Sequence, residues 1–383
     1  MRILTTHAGS LPRPQSLTQL YAWRADGKPV DESQLVAEGE AATDWVVERQ
    51  RACGIDIPSD GEQLREAFFL YVQRRMSGFG GQWTRTLGSE LENYPEFAEV
   101  RRAAATAKTA VSNFTPPMAV GPIEYQDFDA NLDEIKTFKA ALETTGDAFT
   151  DAFITAPSPG IVAKAMRNEF YPNDEAYLDA LAAALRVEYR AAHEHGLMLQ
   201  IDAPDLALER HLTYSDRPIA EFVAFVDQVV ARINRALDGI PRDRVRLHVC
   251  WGNYEGPHVF DVSLEEIWPT IARARAQGLL LSMANPRHEH EYRCFENFDL
   301  SDNGVLIAGV IDTTTNYVEH PRTVADRICR IAGAVGDPRR IIAGTDCGFE
   351  TAAGFVAVDG QIVWDKLEAL AEGAALASQM LYS

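Results

Sequence analysis

Short apolar runs that end in polar residues alternate along this chain with longer stretches in which apolar residues recur every three to four positions. The runs fall at 3–6, 54–57, 152–155, 197–201, 245–249, 278–282, 305–311 and 340–343. Helical periodicity predicts crossovers at about 34–53, 174–196, 217–238, 264–277, 321–335 and 363–380. Eight strands with helical connections predict an α/β protein, a (β/α)₈ TIM barrel occupying residues 1–383 as one domain. A doubly wound sheet is the rival architecture, but no glycine-rich dinucleotide fingerprint follows the first strand. The stretch from about 75 to 130, with Gly78, Gly80, Gly81, Pro95, Pro116 and Pro117, breaks the alternation and reads as an insertion after the second strand.

Composition narrows the function classes. A net charge of −20 argues against non-specific nucleic-acid binding and against attraction to an anionic membrane surface, and it leaves small-molecule partners open. No apolar stretch approaches a membrane span and the N-terminus lacks an apolar signal region, so a cytoplasmic location is expected. The five cysteines, Cys53, Cys250, Cys294, Cys329 and Cys347, are odd in number and scattered, which suits reduced thiols or metal ligands rather than a disulfide framework. Oligomeric state is not legible.

Nearly every strand end carries residues suited to chemistry: His7 to Ser10, Ser59 to Glu62, Asp202, His248 and Cys250, Asn285 to Glu291, Asp312, and Asp346 with Cys347. In a TIM barrel such ends share one face, so one pocket could gather them. In His248-Val249-Cys250 the two ligand-type side chains stand at i and i+2, which on a strand places both on the same face. If Cys347 converges on them, the result is a nitrogen–sulfur cage of the kind zinc takes, with a fourth position open. A lone His-x-Cys is equally a packed pair on a strand, and Cys53 and Cys329, in helical stretches, read as core.

Taken in order, Thr5-Thr6-His7-Ala8-Gly9-Ser10-Leu11-Pro12-Arg13-Pro14, Asp60-Gly61-Glu62, Gln200-Ile201-Asp202-Ala203-Pro204, His248-Val249-Cys250 and Asp346-Cys347-Gly348 resemble the catalytic barrel of the cobalamin-independent methionine synthase family. The single-barrel thiol alkyltransferases, including epoxyalkane:coenzyme M transferases, are similar too, and the resemblance spans essentially the whole chain. It implies a zinc ion on His248, Cys250 and Cys347. It implies substrate contacts from Ser10 and Glu62, which would hold the carboxylate and amine of an amino-acid thiol, and a role near that thiol for Asp202. The implied activity is transfer of a methyl or other alkyl group onto a small thiol, as in 5-methyltetrahydrofolate/homocysteine S-methyltransferases.

The chain departs from that family at the strand after His-x-Cys. Where a glutamate ligand resembling the family's would stand, it reads Ser282-Met283-Ala284-Asn285, so the fourth position falls to the thiol or water, or to Glu289 or Glu291. The alternative activity is addition of a thiol to an epoxide, for which His288 or His290 would supply the acid. Arg13 is a candidate for an anionic substrate group, as is Arg287, and Asp312 is a further substrate-facing candidate. A decarboxylase resembling uroporphyrinogen decarboxylase and a non-catalytic zinc-binding barrel are weaker readings, because the first leaves His248, Cys250 and Cys347 without a purpose.

Overall fold

The computed structural model describes residues 1–85, 89–105 and 110–383. β1 (Leu4–Thr5) opens the chain, and the insertion carries the antiparallel pair β2 (Phe79–Gly80) and β3 (Met118–Ala119). Then follow β4 (Phe153–Pro157), β5 (Met198–Asp202), β6 (Val245–Val249), β7 (Gly278–Ser282), β8 (Val305–Ile311) and β9 (Ile341–Thr345). The main sheet runs β1-β9-β8-β7-β6-β5-β4. Every pairing within it is parallel.

Seven strands and one short segment make the barrel. The predicted second strand forms only a parallel bridge between Thr6 and Ile57. The Asp56 and Ile57 amides donate to Thr5 O at 3.2 and 3.0 Å, and Phe153 N–H donates to Pro58 O at 3.0 Å, so residues 56–58 close the gap between β1 and β4. Pro58 has no N–H and cannot extend a ladder, which is why this stave stays so short.

The staves are apolar because helices cover them outside and side chains fill them inside. β6 and β7 are buried along their whole length. The helix Ile219–Ala236 turns Phe222, Phe225, Val226, Val229, Val230 and Ile233 onto the sheet at helical spacing. The predicted helix at 264–277 stops at Ile271. Beyond it the chain is drawn away, with Arg275 N–H donating to Asn234 Oδ1 at 2.7 Å. The helix Phe128–Thr144, whose Asp127 carboxylate caps Ala130 N–H, was hidden at the edge of the insertion. No described helix is long and apolar enough to cross a membrane.

A buried ionic chain ties this outer layer to the barrel. Arg65 Nε meets Glu134 Oε1 at 2.6 Å, and Arg75 bridges Glu134 at 2.9 Å and Glu188 at 3.0 Å. The Tyr71 and Tyr125 hydroxyls donate to Glu188 as well. The two guanidiniums outweigh burial and hold the Glu134 carboxyl down to about 2. Arg65 also donates to Thr155 O and Oγ1, so the chain ends at β4.

Candidate active site

Alternation along β6 sets Arg246, His248 and, just past its end, Cys250 on one face. Arg246 fills the barrel interior. It donates to Thr6 Oγ1 and His7 O at 3.0 Å each, and its guanidinium lies 3.9 Å from the Phe153 ring centroid. Cys347 arrives from the end of β9, with its Sγ 3.8 Å from Cys250 Sγ. One ligand atom from each of His248, Cys250 and Cys347 lies within 4.8 Å of the others, and all three residues are buried.

These residues fit a divalent metal. His248 Nδ1 contacts Asp202 Oδ1 at 2.9 Å, and Nε2 is buried without a hydrogen-bond partner. A carboxylate on one ring nitrogen and nothing on the other is how a metal-binding imidazole is oriented. Asp202 is steadied in turn by Gln200 Nε2 at 2.8 Å. Burial pulls His248 down, but Cys250 and Asp202 outweigh it and push it up to about 10. The hydrogen bond from Cys347, helped by His248, holds the Cys250 thiol well below its ordinary value. The same bond, with burial, pushes Cys347 up.

The cluster lies against a cavity of about 170 Å³ that Ser10, Glu62 and Asp202 also line. Glu62 sits in the left-handed region at φ 59°, unusual for a side chain of its size and affordable only where the surroundings hold it. Thr155 Oγ1 donates to its Oε1 at 2.9 Å, while Oε2 is buried and unpartnered. Burial, then the nearby Asp202 charge, push this carboxyl up to about 8. Two glycines make room for the arrangement. A Cβ on Gly9 would stand 2.7 Å from Thr155 Cγ2, and one on Gly348 would stand 2.0 Å from Ser10 Oγ.

Five of the sequence-predicted residues lie away from this cavity, the exposed Arg287 among them. Arg13 is buried, and its guanidinium donates to the carbonyls of Glu62, Arg65 and Glu350, so it braces backbone. Asp312 accepts from Thr314 N–H and Oγ1 as a local turn. His290 is exposed to solvent. His288 is buried but stacks on Trp251 at 4.0 Å and turns Nε2 to Asp261 at 2.8 Å. The alternative metal carboxylates are absent from the cavity lining too. Glu291 accepts Leu264 N–H, and Glu289 is exposed. The end of β7 is occupied by Asp346, which accepts from the Met283, Ala284 and Asn285 amides at 2.8–2.9 Å.

His211 and Asp261 were missed. His211 lines the cavity, and its Nδ1 contacts Asp261 Oδ1 at 2.6 Å. The same carboxylate contacts His258 and His288 at 2.8 Å each. Burial opposes ionisation of Asp261, but the three imidazoles hold it well below the usual carboxylate range. No spacing in the sequence links the pair, which stands 50 residues apart.

Fold and site together define a parallel α/β barrel with a His/Cys/Cys cluster able to hold a metal ion at its C-terminal mouth. No protein-family model matches the chain. It is 28% identical over 364 residues to a methionine synthase of Pyrococcus furiosus, covering 95% of this chain and 89% of that one. It is 26% identical over 373 residues to the Saccharolobus solfataricus methionine synthase, covering 96% and 93%. A 2-hydroxypropyl-CoM lyase of Xanthobacter autotrophicus is 25% identical over 410 residues, covering 97% and 94%. The solved B12-independent methionine synthase of Shewanella sp. W3-18-1, in complex with selenomethionine, superposes with a TM-score of 0.73 at 20% identity, covering 100% and 99%. The chain therefore resembles the cobalamin-independent methionine synthase family in its single-barrel form, and the TIM-barrel fold is shared.

Proposed function

We propose that this protein is a zinc-dependent transferase that moves a methyl group, or another small alkyl group, onto a thiol bearing an amine, with homocysteine as the acceptor. The observation that carries this reading is the His248, Cys250 and Cys347 cluster with an unpartnered imidazole nitrogen, set beside the unpartnered Glu62 Oε2 in one cavity. A free thiol has a pKa of about 8.5 and is mostly protonated at neutral pH. Bound zinc would supply the Lewis acidity that keeps the acceptor thiol deprotonated and nucleophilic.

The chain's own residues do the rest. Asp202 holds His248 in the tautomer that leaves Nε2 for a cation. Glu62 Oε2 accepts from the substrate ammonium, and the incoming positive charge favours its carboxylate form. The Ser10 hydroxyl, beside the backbone of Gly348, is positioned to donate to the substrate carboxylate. Phe68, Phe69, Leu91 and Phe114 wall the cavity and exclude water from the transferring carbon.

The similarity to 2-hydroxypropyl-CoM lyase favours a second reading, addition of a thiol to an epoxide. A sulfonate-bearing thiol would need a cationic partner. Arg85 is the one guanidinium or ammonium among the described lining residues, and it pairs with Glu209. The lining thus favours an amine over a sulfonate. Metal analysis joined to a thiol-consumption assay tests the proposal, with homocysteine and coenzyme M each offered methyl donors and epoxides. One equivalent of zinc and methyl-donor-dependent loss of homocysteine are expected. Protein unable to bind zinc, or thiol loss only with coenzyme M and epoxide, would refute it.

A further inference from the structure

Alkyl transfer to a thiolate frees a leaving atom, and a nitrogen or oxygen atom leaves easily only if it is protonated as its bond to carbon breaks. Of the chain's histidines, two line the cavity: His248, assigned above to the metal, and His211. Its Nδ1 is committed to Asp261 at 2.6 Å, which leaves Nε2 as the ring nitrogen for a molecule in the cavity. Asp261 is itself fixed. Its Oδ2 meets His258 Nδ1 and His288 Nε2, and His258 Nε2 donates to Tyr254 O at 3.0 Å. Trp251 stacks on His288 and donates to Val262 O at 2.7 Å, which locks the far side. A buried carboxylate behind one imidazole nitrogen stabilises the imidazolium and sets its orientation, as in the histidine of a hydrolytic triad.

Resting on the transferase reading above, we infer that His211, oriented by Asp261, donates the proton to the departing group, and that the alkyl donor is therefore one whose leaving atom is nitrogen or oxygen. The acceptor sulfur forms the new S–C bond with its lone pair. The C–N or C–O bond breaks with its electron pair on the heteroatom, and that atom takes the proton from His211 Nε2. The ring is left neutral with its proton on Nδ1 against Asp261, and it regains one from solvent, where the acceptor thiol released its own.

The test compares two donors in zinc-loaded protein. Methyl iodide has a leaving group that needs no proton, whereas 5-methyltetrahydrofolate or propylene oxide does need one. His211→Ala should lose about 10²-fold or more with the second class. With methyl iodide it should stay within about threefold of the unsubstituted protein. Added imidazole should restore part of the loss for the second class alone, an effect that a merely structural role would not produce. Asp261→Asn should show the same selectivity with a smaller loss. Equal losses with both donors, or no loss with either, would overturn the inference while leaving the transferase reading intact. Unsubstituted protein that alkylates no thiol with any of these donors would overturn both.

Discussion

Asp202 Oδ1 lies 2.9 Å from His248 Nδ1, and this contact determines which face of the imidazole is left for a cation. An amide in its place could present its NH₂ to Nδ1 and favour the tautomer with Nε2 protonated. Asp202→Asn should therefore lower zinc affinity by about 10- to 100-fold while leaving the fold intact. Competition against a chelator of known affinity measures this, and an unchanged constant would separate Asp202 from metal binding.

The two sulfurs stand 3.8 Å apart at the ends of β6 and β9. A serine hydroxyl stays protonated and neutral where a cysteine would offer thiolate. Cys250→Ser and Cys347→Ser should each lose most bound zinc and all measurable thiol alkylation, read by elemental analysis and the thiol assay. A double variant that keeps a full equivalent of zinc would contradict the ligand assignment.

Glu62 is held off any protein partner on one oxygen. Glu62→Gln should weaken an amine-bearing thiol by about 10-fold or more, the worth of one charge-assisted hydrogen bond. Zinc content and the affinity for a thiol lacking the amine should stay the same. Titration calorimetry with homocysteine and with 4-mercaptobutyrate reads the difference.

Glu134 neutralises two buried guanidiniums, Arg65 and Arg75. Glu134→Ala should cost about 3–5 kcal/mol of stability, because it leaves uncompensated charge in the interior. Urea denaturation of the variant beside the parent protein gives the value, and a loss below about 1 kcal/mol would place the network at the level of surface pairs.

Burial pushes the Asp205 carboxyl up to about 7, against the opposing hydrogen bond from Ser158. The folded protein keeps this proton at pH values where the unfolded chain has released it. The contribution to stability is therefore full below about pH 4 and is lost as pH rises toward 7. Asp205→Asn should flatten the dependence between pH 4 and pH 7, followed as the urea midpoint at each pH.

Much of the barrel was legible because parallel strands buried on both faces are short unbroken apolar runs, as in β6, β7 and β8. The site was legible where spacing carries geometry, as in His248 and Cys250 on one strand face. It was less legible where side chains fold back. Asp346 stands next to Cys347 in sequence, but it caps three amides at the end of β7, and Arg13 spends its donors on backbone carbonyls. His211 and Asp261 are 50 residues apart with no periodic relation, so only the folded chain brings them within hydrogen-bonding distance. The helix at 264–277 was overextended because Pro269 and the pull of Asn234 on Arg275 leave no mark in the apolar pattern.

The cavity draws its floor from strand ends and its ceiling from elsewhere. Ser10, His248, Cys250 and Cys347 lie below, while Arg85, Leu91 and residues 110–114 come from the long excursion between residues 75 and 130. The His248, Cys250 and Cys347 cluster and this part of the cavity wall thus belong to separate stretches of chain. Substitutions at residues 110–114 should therefore change the shape of the cavity without touching the His248, Cys250 and Cys347 cluster.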